Sequence, residues 1–128
     1  MLEGHVSPLQ LDQGRVDGSV TLAVGGELDA SNAVLLREAL EAVADEAAVV
    51  IDLRDVPFMD SAGLGALVGG IRRLRVRGAA VALCVRRGAV QRLLAATGFE
   101  GIVPTFRSLE EARASVTGLE GGTQRVTA

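Results

Sequence analysis

Short, continuous apolar runs alternate with longer stretches of helical periodicity, and this alternation constrains the fold more than any other feature. The run at residues 48–51 is mainly β-branched, which is typical of a strand buried on both faces of a parallel sheet. Downstream, apolar residues recur at the spacing of one helix face, at Leu64, Leu67, Val68, Ile71 and Leu74. This spacing predicts a helix over residues 61–77 that Gly78 ends.

The same patterns predict the remaining elements. Residues 9–24 form two strands joined at Asp17 and Gly18, a hairpin with one buried face. Further elements are a helix at 31–46 capped by Ser31 or Asn32, a strand at 79–85, a helix at 88–97, a strand at 102–105 and a helix at 108–116. The predicted fold is α/β, a mixed, partly parallel β-sheet of four to five strands with about four helices packed on it.

The length of 128 residues fits one domain. We assign it to residues 9–116, with a flexible N-terminal segment at 1–8 and a disordered, glycine-containing tail at 117–128. The longest mainly apolar stretch, residues 62–71, is far shorter than the roughly 18–20 residues that span a bilayer. The N-terminus lacks the pattern of a signal peptide. We therefore expect a cytoplasmic protein without a membrane partner.

Composition excludes several classes of function. The net charge is −3 and the aromatic content is 2%, so nucleic acid is not an expected partner. All thirteen basic residues are Arg, which rules out chemistry that needs a lysine amine. His5 and Cys84 are the single histidine and the single cysteine, too few for a catalytic triad or a zinc site. We expect no enzymatic activity, no metal and no cofactor.

Ser61 stands where the periodicity of the second helix begins, directly after a strand and a short loop. One interpretation is an N-cap whose hydroxyl accepts a backbone N–H, worth about 1 kcal/mol against Ala. The other is a phosphorylation switch on a docking surface, because Gly63 and Gly65 leave the first turn small and Phe58 and Met59 are bulky neighbours. The two roles are compatible, and the residues alone favour the cap.

A phosphate on Ser61 would add about −1.5 to −2 charge at a helix N-terminus, which the helix dipole tolerates. The fold would then survive, whereas a partner packed on Gly63 and Leu64 would meet new bulk and charge beside Asp60. Phosphorylation is therefore expected to act as a binary switch of binding.

Residues 58–65 read Phe-Met-Asp-Ser-Ala-Gly-Leu-Gly, preceded by Val-Val-Ile-Asp-Leu at 49–53. This segment resembles the signature of STAS domains of the anti-sigma factor antagonist family. A second match is Gly-Glu-Leu-Asp at 26–29, and a third is the run at 90–98 before Ile102. Together the matches cover about residues 9–116, and the resemblance implies the STAS fold.

The resemblance also implies a partner-switching function. In such families the unphosphorylated antagonist binds an anti-sigma factor, which frees the sigma factor. The anti-sigma factor is commonly a serine kinase that phosphorylates the antagonist and ends the interaction, and a serine phosphatase reverses it. Carried over, Ser61 matches the phosphoacceptor. The matching partner-binding positions are Glu27, Asp29, Asp60, Gly63 and Leu64.

Ala62 departs from the family pattern, since many relatives carry Ser or Thr there; Ser61 is left as the one hydroxyl in the motif. Two alternatives stay open. The first is an accessory STAS subunit of a stressosome or a lipid-transport complex, which would share the fold and differ in its partner. A small nucleotide-binding domain with a pocket near Asp29 and Ser61 is the second alternative.

Overall fold

The computed structural model describes residues 9–118. The predictions for residues 1–8 and for residues 119–128 of the tail lie outside the described residues. The described chain contains five strands, four α-helices and one 3-10 turn. They are β1 (Gln10–Val16), β2 (Ser19–Gly25), α1 (Ala33–Ala42), β3 (Ala48–Asp55), α2 (Ser61–Val76), β4 (Ala80–Cys84), α3 (Ala89–Ala96), the 3-10 turn (Phe99–Gly101), β5 (Thr105–Phe106) and α4 (Leu109–Thr117).

The strands form one sheet in the order β1-β2-β3-β4-β5. β1 and β2 are antiparallel, and every later pair is parallel. The predicted α/β class and the mixed, partly parallel sheet are therefore confirmed. Because β2, β3 and β4 run in the same direction, the loops that follow them emerge at one edge of the sheet.

Helices cover both faces of the sheet. On one face, side chains of three neighbouring strands share a core with α1, α2 and α3: Leu22, Ile51, Leu83, Leu36, Leu67 and Leu94. On the opposite face, a smaller core joins Val50, Ala82, Phe106 and Ala112 of α4. β3 is buried on both sides from Ala48 to Leu53, as its continuous apolar run predicts.

The hairpin differs from its prediction in one respect. Asp17 and Gly18 form the turn with positive φ angles of 51° and 83°, as their residue types favour. However, β2 is buried on both faces rather than one: Ser19 and Thr21 on its second face are buried as well, and α4 contacts β2. Arg113 of α4 donates to the Thr21 hydroxyl at 3.3 Å.

Two other elements also differ from their predictions. α1 begins at Ala33 and ends at Ala42 rather than spanning residues 31–46, and its Leu35 is 42% exposed. The strand predicted at 102–105 is shorter and begins later: β5 contains two residues, Thr105–Phe106, and residues 102–103 form a turn and a bend after the 3-10 turn. Ile102 is exposed.

α1 and α2 pack closely at Gly70. An added Cβ on Gly70 would overlap the side chain of Leu40. Arg73 and Arg77 near the end of α2 pair with Glu41 of α1 at 3.8 and 3.5 Å. These contacts hold the two helices side by side.

α2 ends at Val76, and Gly78 follows with φ +95°, as predicted. It is the longest helix within residues 9–118, with 16 residues. No helix in that part of the chain combines the length and the apolar character needed to cross a membrane.

Candidate functional site

Two segments beyond the ends of β2 and β3 meet at the shared sheet edge. The Leu28 N–H donates to the Phe58 carbonyl at 3.0 Å, and the Asp60 N–H donates to the Leu28 carbonyl at 3.1 Å. These bonds form a parallel bridge between Leu28 and Met59. Both side chains point inward, with exposures of 0% and 4%. The bridge fixes the residues before α1 against those before α2.

Asp60, rather than Ser61, caps α2. Its backbone is extended, and its carboxylate Oδ1 accepts the Gly63 N–H at 2.9 Å. The prediction that Ser61 is the N-cap is therefore wrong by one residue: Asp and Ser both favour caps, and the bridge to Leu28 holds Asp60 in the extended geometry. Ser61 is the first helical residue, and it is exposed.

Gly63 lies inside the fold, beneath Leu28. A Cβ there would stand 2.7 Å from Leu28 Cγ and 2.9 Å from the Leu28 carbonyl oxygen. The resemblance placed Gly63 on a partner-contacting turn; the structure buries Gly63 against Leu28, and its contact with a partner stays a prediction. Leu64 is half-buried on the next position of the turn.

The loop between β2 and α1 is held by its own polar side chains. The Asp29 carboxylate accepts the Ser31 N–H at 2.9 Å and the Ser31 hydroxyl at 2.6 Å. Asn32, which is 8% exposed, accepts the Asp29 N–H and donates to the Glu27 carbonyl, both at 2.9 Å. Sequence reasoning expected Asn32 only as a possible cap. Its side chain instead joins the backbone of Glu27 to that of Asp29 within the loop, and it caps no helical N–H.

Hydrogen bonding stabilises the ionised form of Asp29. The Ser31 hydroxyl, followed by the Ser31 backbone N–H, lowers the pKa of Asp29 below its ordinary value. Asp29 is ionised at neutral pH in any case, and these bonds keep it ionised at a lower pH than an unperturbed Asp.

Glu27, Asp29 and Asp60 all lie on the two segments that the bridge joins, next to Ser61. They do not form a metal site: within residues 9–118 no three acidic, histidine or cysteine side chains are grouped to hold an ion. The three carboxylates place negative charge on this part of the surface.

A shallow depression of about 380 Å³ lies farther along the same edge. Its lining comes from residues 53–57 and 86–90, and Asp29 and Ser61 are not part of it. Two of its arginines already have acidic partners: Arg54 pairs with Asp52 at 2.9 Å and Arg86 with Asp55 at 3.6 Å. The pocket expected near Asp29 and Ser61 for a nucleotide therefore does not coincide with this depression.

Comparison with known proteins agrees with this geometry. The family model of the STAS domain matches residues 11–112. The chain belongs to the STAS domain family. The predicted resemblance is thus confirmed, and the matched range lies within the domain assigned at residues 9–116.

Curated STAS relatives carry related names. An "Anti-sigma-B factor antagonist" of Listeria monocytogenes is 37% identical over 86 residues, covering 66% of this chain and 75% of the relative. The "Anti-sigma-F factor antagonist RsfB" of Mycobacterium tuberculosis is 37% identical over 109 residues, covering 83% of this chain and 85% of the relative.

A solved STAS structure gives the same picture. The crystal structure of an anti-sigma factor antagonist from Mycobacterium paratuberculosis superposes with a TM-score of 0.79 at 28% identity. The superposition covers 86% of this chain and 95% of that chain. The five-stranded mixed sheet with helices on both faces is therefore the STAS fold.

Proposed function

We propose that this STAS domain is a bacterial anti-sigma factor antagonist. Its unphosphorylated form binds an anti-sigma factor that is also a serine kinase, and the sigma factor is released. Phosphorylation of Ser61 ends the interaction, and a serine phosphatase restores it. The protein itself is a cytoplasmic binding module without catalytic activity or cofactor.

The names of the relatives support the choice of partner. The relatives from Listeria monocytogenes and Mycobacterium tuberculosis, each 37% identical to this chain, are named as antagonists of anti-sigma factors. The similarity covers 66% and 83% of this chain, and the STAS family model matches residues 11–112, a range that includes Leu28 and Ser61. A partner of the same class is therefore the simplest assignment for this chain.

The observation that best supports a phosphorylation switch at Ser61 is the N-cap of α2. Because the Asp60 carboxylate accepts the Gly63 N–H at 2.9 Å, the Ser61 hydroxyl is not needed for the helix. It lies exposed on the first turn, where a kinase has access to it. A modification there leaves the cap in place.

Electrostatics explain why a phosphate would change binding more than folding. The N-terminus of α2 favours an anion by roughly 0.3–1 kcal/mol, which opposes the repulsion from Asp60. A partner packed closely on the first turn of α2 would have to make room for the phosphate and desolvate its charge of about −1.5 to −2. Binding is therefore lost while the domain stays folded.

The proposal is tested with the anti-sigma factors encoded in the source genome, each purified and incubated with the chain and Mg-ATP. Intact mass then reports phosphorylation, and calorimetry without ATP reports binding. We expect one anti-sigma factor to bind the wild type and to add a single phosphate. Ser61→Ala should bind and stay unmodified, and Ser61→Asp should lose binding with an unchanged melting curve.

Ser115→Ala is the control, because Ser115 lies on α4, which packs on the opposite face of the sheet from α2. It should be phosphorylated like the wild type. Binding without any phosphate on Ser61 would instead support the accessory STAS subunit of a stressosome or lipid-transport complex. No binding to any anti-sigma factor, with a thermal shift on adding a nucleotide, would support the nucleotide-binding alternative.

A further inference from the structure

The bridge between Leu28 and Met59 sets the order of side chains on the surface around Ser61. In a parallel pair, residues at the same level lie side by side about 4.8 Å apart, and neighbours along each chain point to opposite sides. Leu28 and Met59 point inward. By this pattern Glu27 stands beside Phe58 and Asp29 beside Asp60. Glu27 and Phe58 are exposed, whereas Asp29 and Asp60 are half-buried.

Phe58 is the unusual member of these pairs. The chain has three phenylalanines; Phe99 and Phe106 are 6% and 5% exposed, whereas Phe58 is 48% exposed. The backbone at Phe58 is fixed, because its carbonyl accepts the Leu28 N–H and the next residue is buried. A partner that covers the ring would therefore order few degrees of freedom, which favours affinity.

We propose that Phe58 is the apolar anchor of the anti-sigma factor interface, inserted into an apolar pocket whose rim carries Arg or Lys side chains that face Glu27, Asp29 and Asp60. This inference rests on the proposed function and adds the chemistry of the partner. The chemistry of this pocket follows from charge complementarity, since an exposed aromatic ring on a surface that carries three carboxylates matches an apolar pocket with a basic rim. A phosphate on Ser61, three residues from Phe58, would obstruct insertion of the ring by its bulk.

Phe58 and the surrounding carboxylates should affect different rate constants of binding. Aromatic anchors at the centre of an interface dominate the lifetime of a complex, whereas charges at the rim mainly set the association rate. Removal of the Phe58 ring should therefore raise the dissociation rate. Neutralisation of Glu27 should lower the association rate and weaken its dependence on salt.

The test measures binding of Phe58→Ala to the anti-sigma factor that binds the wild type, by surface plasmon resonance at two salt concentrations. Val76→Ala is the matched control: Val76 is 87% exposed and lies at the far end of α2, about 22 Å from Ser61 along the helix. We expect Kd to rise roughly 10- to 100-fold for Phe58→Ala and less than about twofold for Val76→Ala. Phe58→Leu, which keeps an apolar side chain, should retain most of the affinity.

Equal Kd values for Phe58→Ala and Val76→Ala would overturn the anchor while the proposed function stands. A rise in Kd that Phe58→Leu does not relieve, accompanied by a lower melting temperature for both Phe58 variants, would overturn it in favour of a folding role. If the wild type binds no anti-sigma factor, the proposed function fails and the anchor with it. Glu27→Gln should lower the association rate and leave the dissociation rate unchanged. A higher dissociation rate with an unchanged association rate would contradict the basic rim of the partner's pocket.

Discussion

Gly63 on α2 lies directly against Leu28, and a single added Cβ would stand 2.7 Å from the Leu28 Cγ atom. Leu28 is fully buried and its backbone is hydrogen-bonded to Phe58 and Asp60 on both sides. It cannot move away without breaking the bridge that joins the loop after β2 to the start of α2. The absence of a side chain at Gly63 is thus a condition for the geometry of the whole site.

Gly63→Ala is expected to destabilise the domain. The added methyl overlaps backbone and side-chain atoms of Leu28, and overpacking of this kind costs about 1–3 kcal/mol. Gly65→Ala is the matched control two residues later, because a Cβ there meets nothing within 4 Å. Gly65→Ala should instead stabilise the protein by about 0.5–1 kcal/mol through helix propensity. Urea denaturation of both variants checks the difference, and equal midpoints would contradict the packing.

The sequence predicts α2 well and β5 poorly, for identifiable reasons. α2 carries a long, regular apolar stripe and a glycine after its end, and both signals are local. Residues 102–105 also contain β-branched residues, but a strand requires a neighbouring backbone. β4 offers pairing positions only to Thr105 and Phe106, so the residues before them turn instead.

The site was predictable as a location but not in its detail. The motif at residues 58–65 locates Ser61 and the sheet edge. The cap could not be assigned, because Asp60 and Ser61 are adjacent residues of types that both favour caps, and the bridge to Leu28 decides between them. That bridge joins residues 31 positions apart, and its existence depends on how β2 and β3 lie in the sheet.

Asp60→Ala tests the assignment of the cap. Loss of the acceptor for the Gly63 N–H should lower the free energy of unfolding by about 1 kcal/mol. Asp60→Asn keeps an acceptor, so its free energy of unfolding should fall by only a few tenths of a kcal/mol. Ser61→Ala should stay within about 0.5 kcal/mol of the wild type. Chemical denaturation measures all three, and a larger loss for Ser61→Ala than for Asp60→Ala would return the cap to Ser61.

Ser31→Ala should raise the pKa of Asp29 toward its ordinary value of 3.8, because the variant removes the hydroxyl that is the main cause of the lowered pKa. A lowered folded pKa means that the ionised carboxylate stabilises the fold above pH 3.8 and that this contribution is lost as the pH falls through the folded value. NMR titration of the side-chain carboxyl carbons measures the pKa directly. Ser115→Ala on α4 is the control and should leave Asp29 unchanged.

Cys84 offers an isolated probe of the core at alkaline pH. It is fully buried in β4, and burial raises the pKa of its thiol from 9.0 to about 11. The chain has no Lys and no Tyr, so Cys84 is the side chain that titrates in this window. The neutral thiol is favoured in the fold, so its contribution is complete below pH 9 and is lost as the pH rises through 11.

The free energy of unfolding is therefore expected to fall by about 2–3 kcal/mol between pH 8 and pH 11, since one unit of pKa corresponds to 1.36 kcal/mol. Cys84→Ala removes the thiol, so its stability should be nearly flat over the same range even though its packing is weaker. Guanidinium denaturation at several pH values measures both proteins. In parallel, an aromatic disulfide reagent should label the wild type at neutral pH only as fast as the domain opens. Rapid labelling of the folded protein, or parallel alkaline slopes for the two proteins, would show that the thiol is not held in the core as the structure places it.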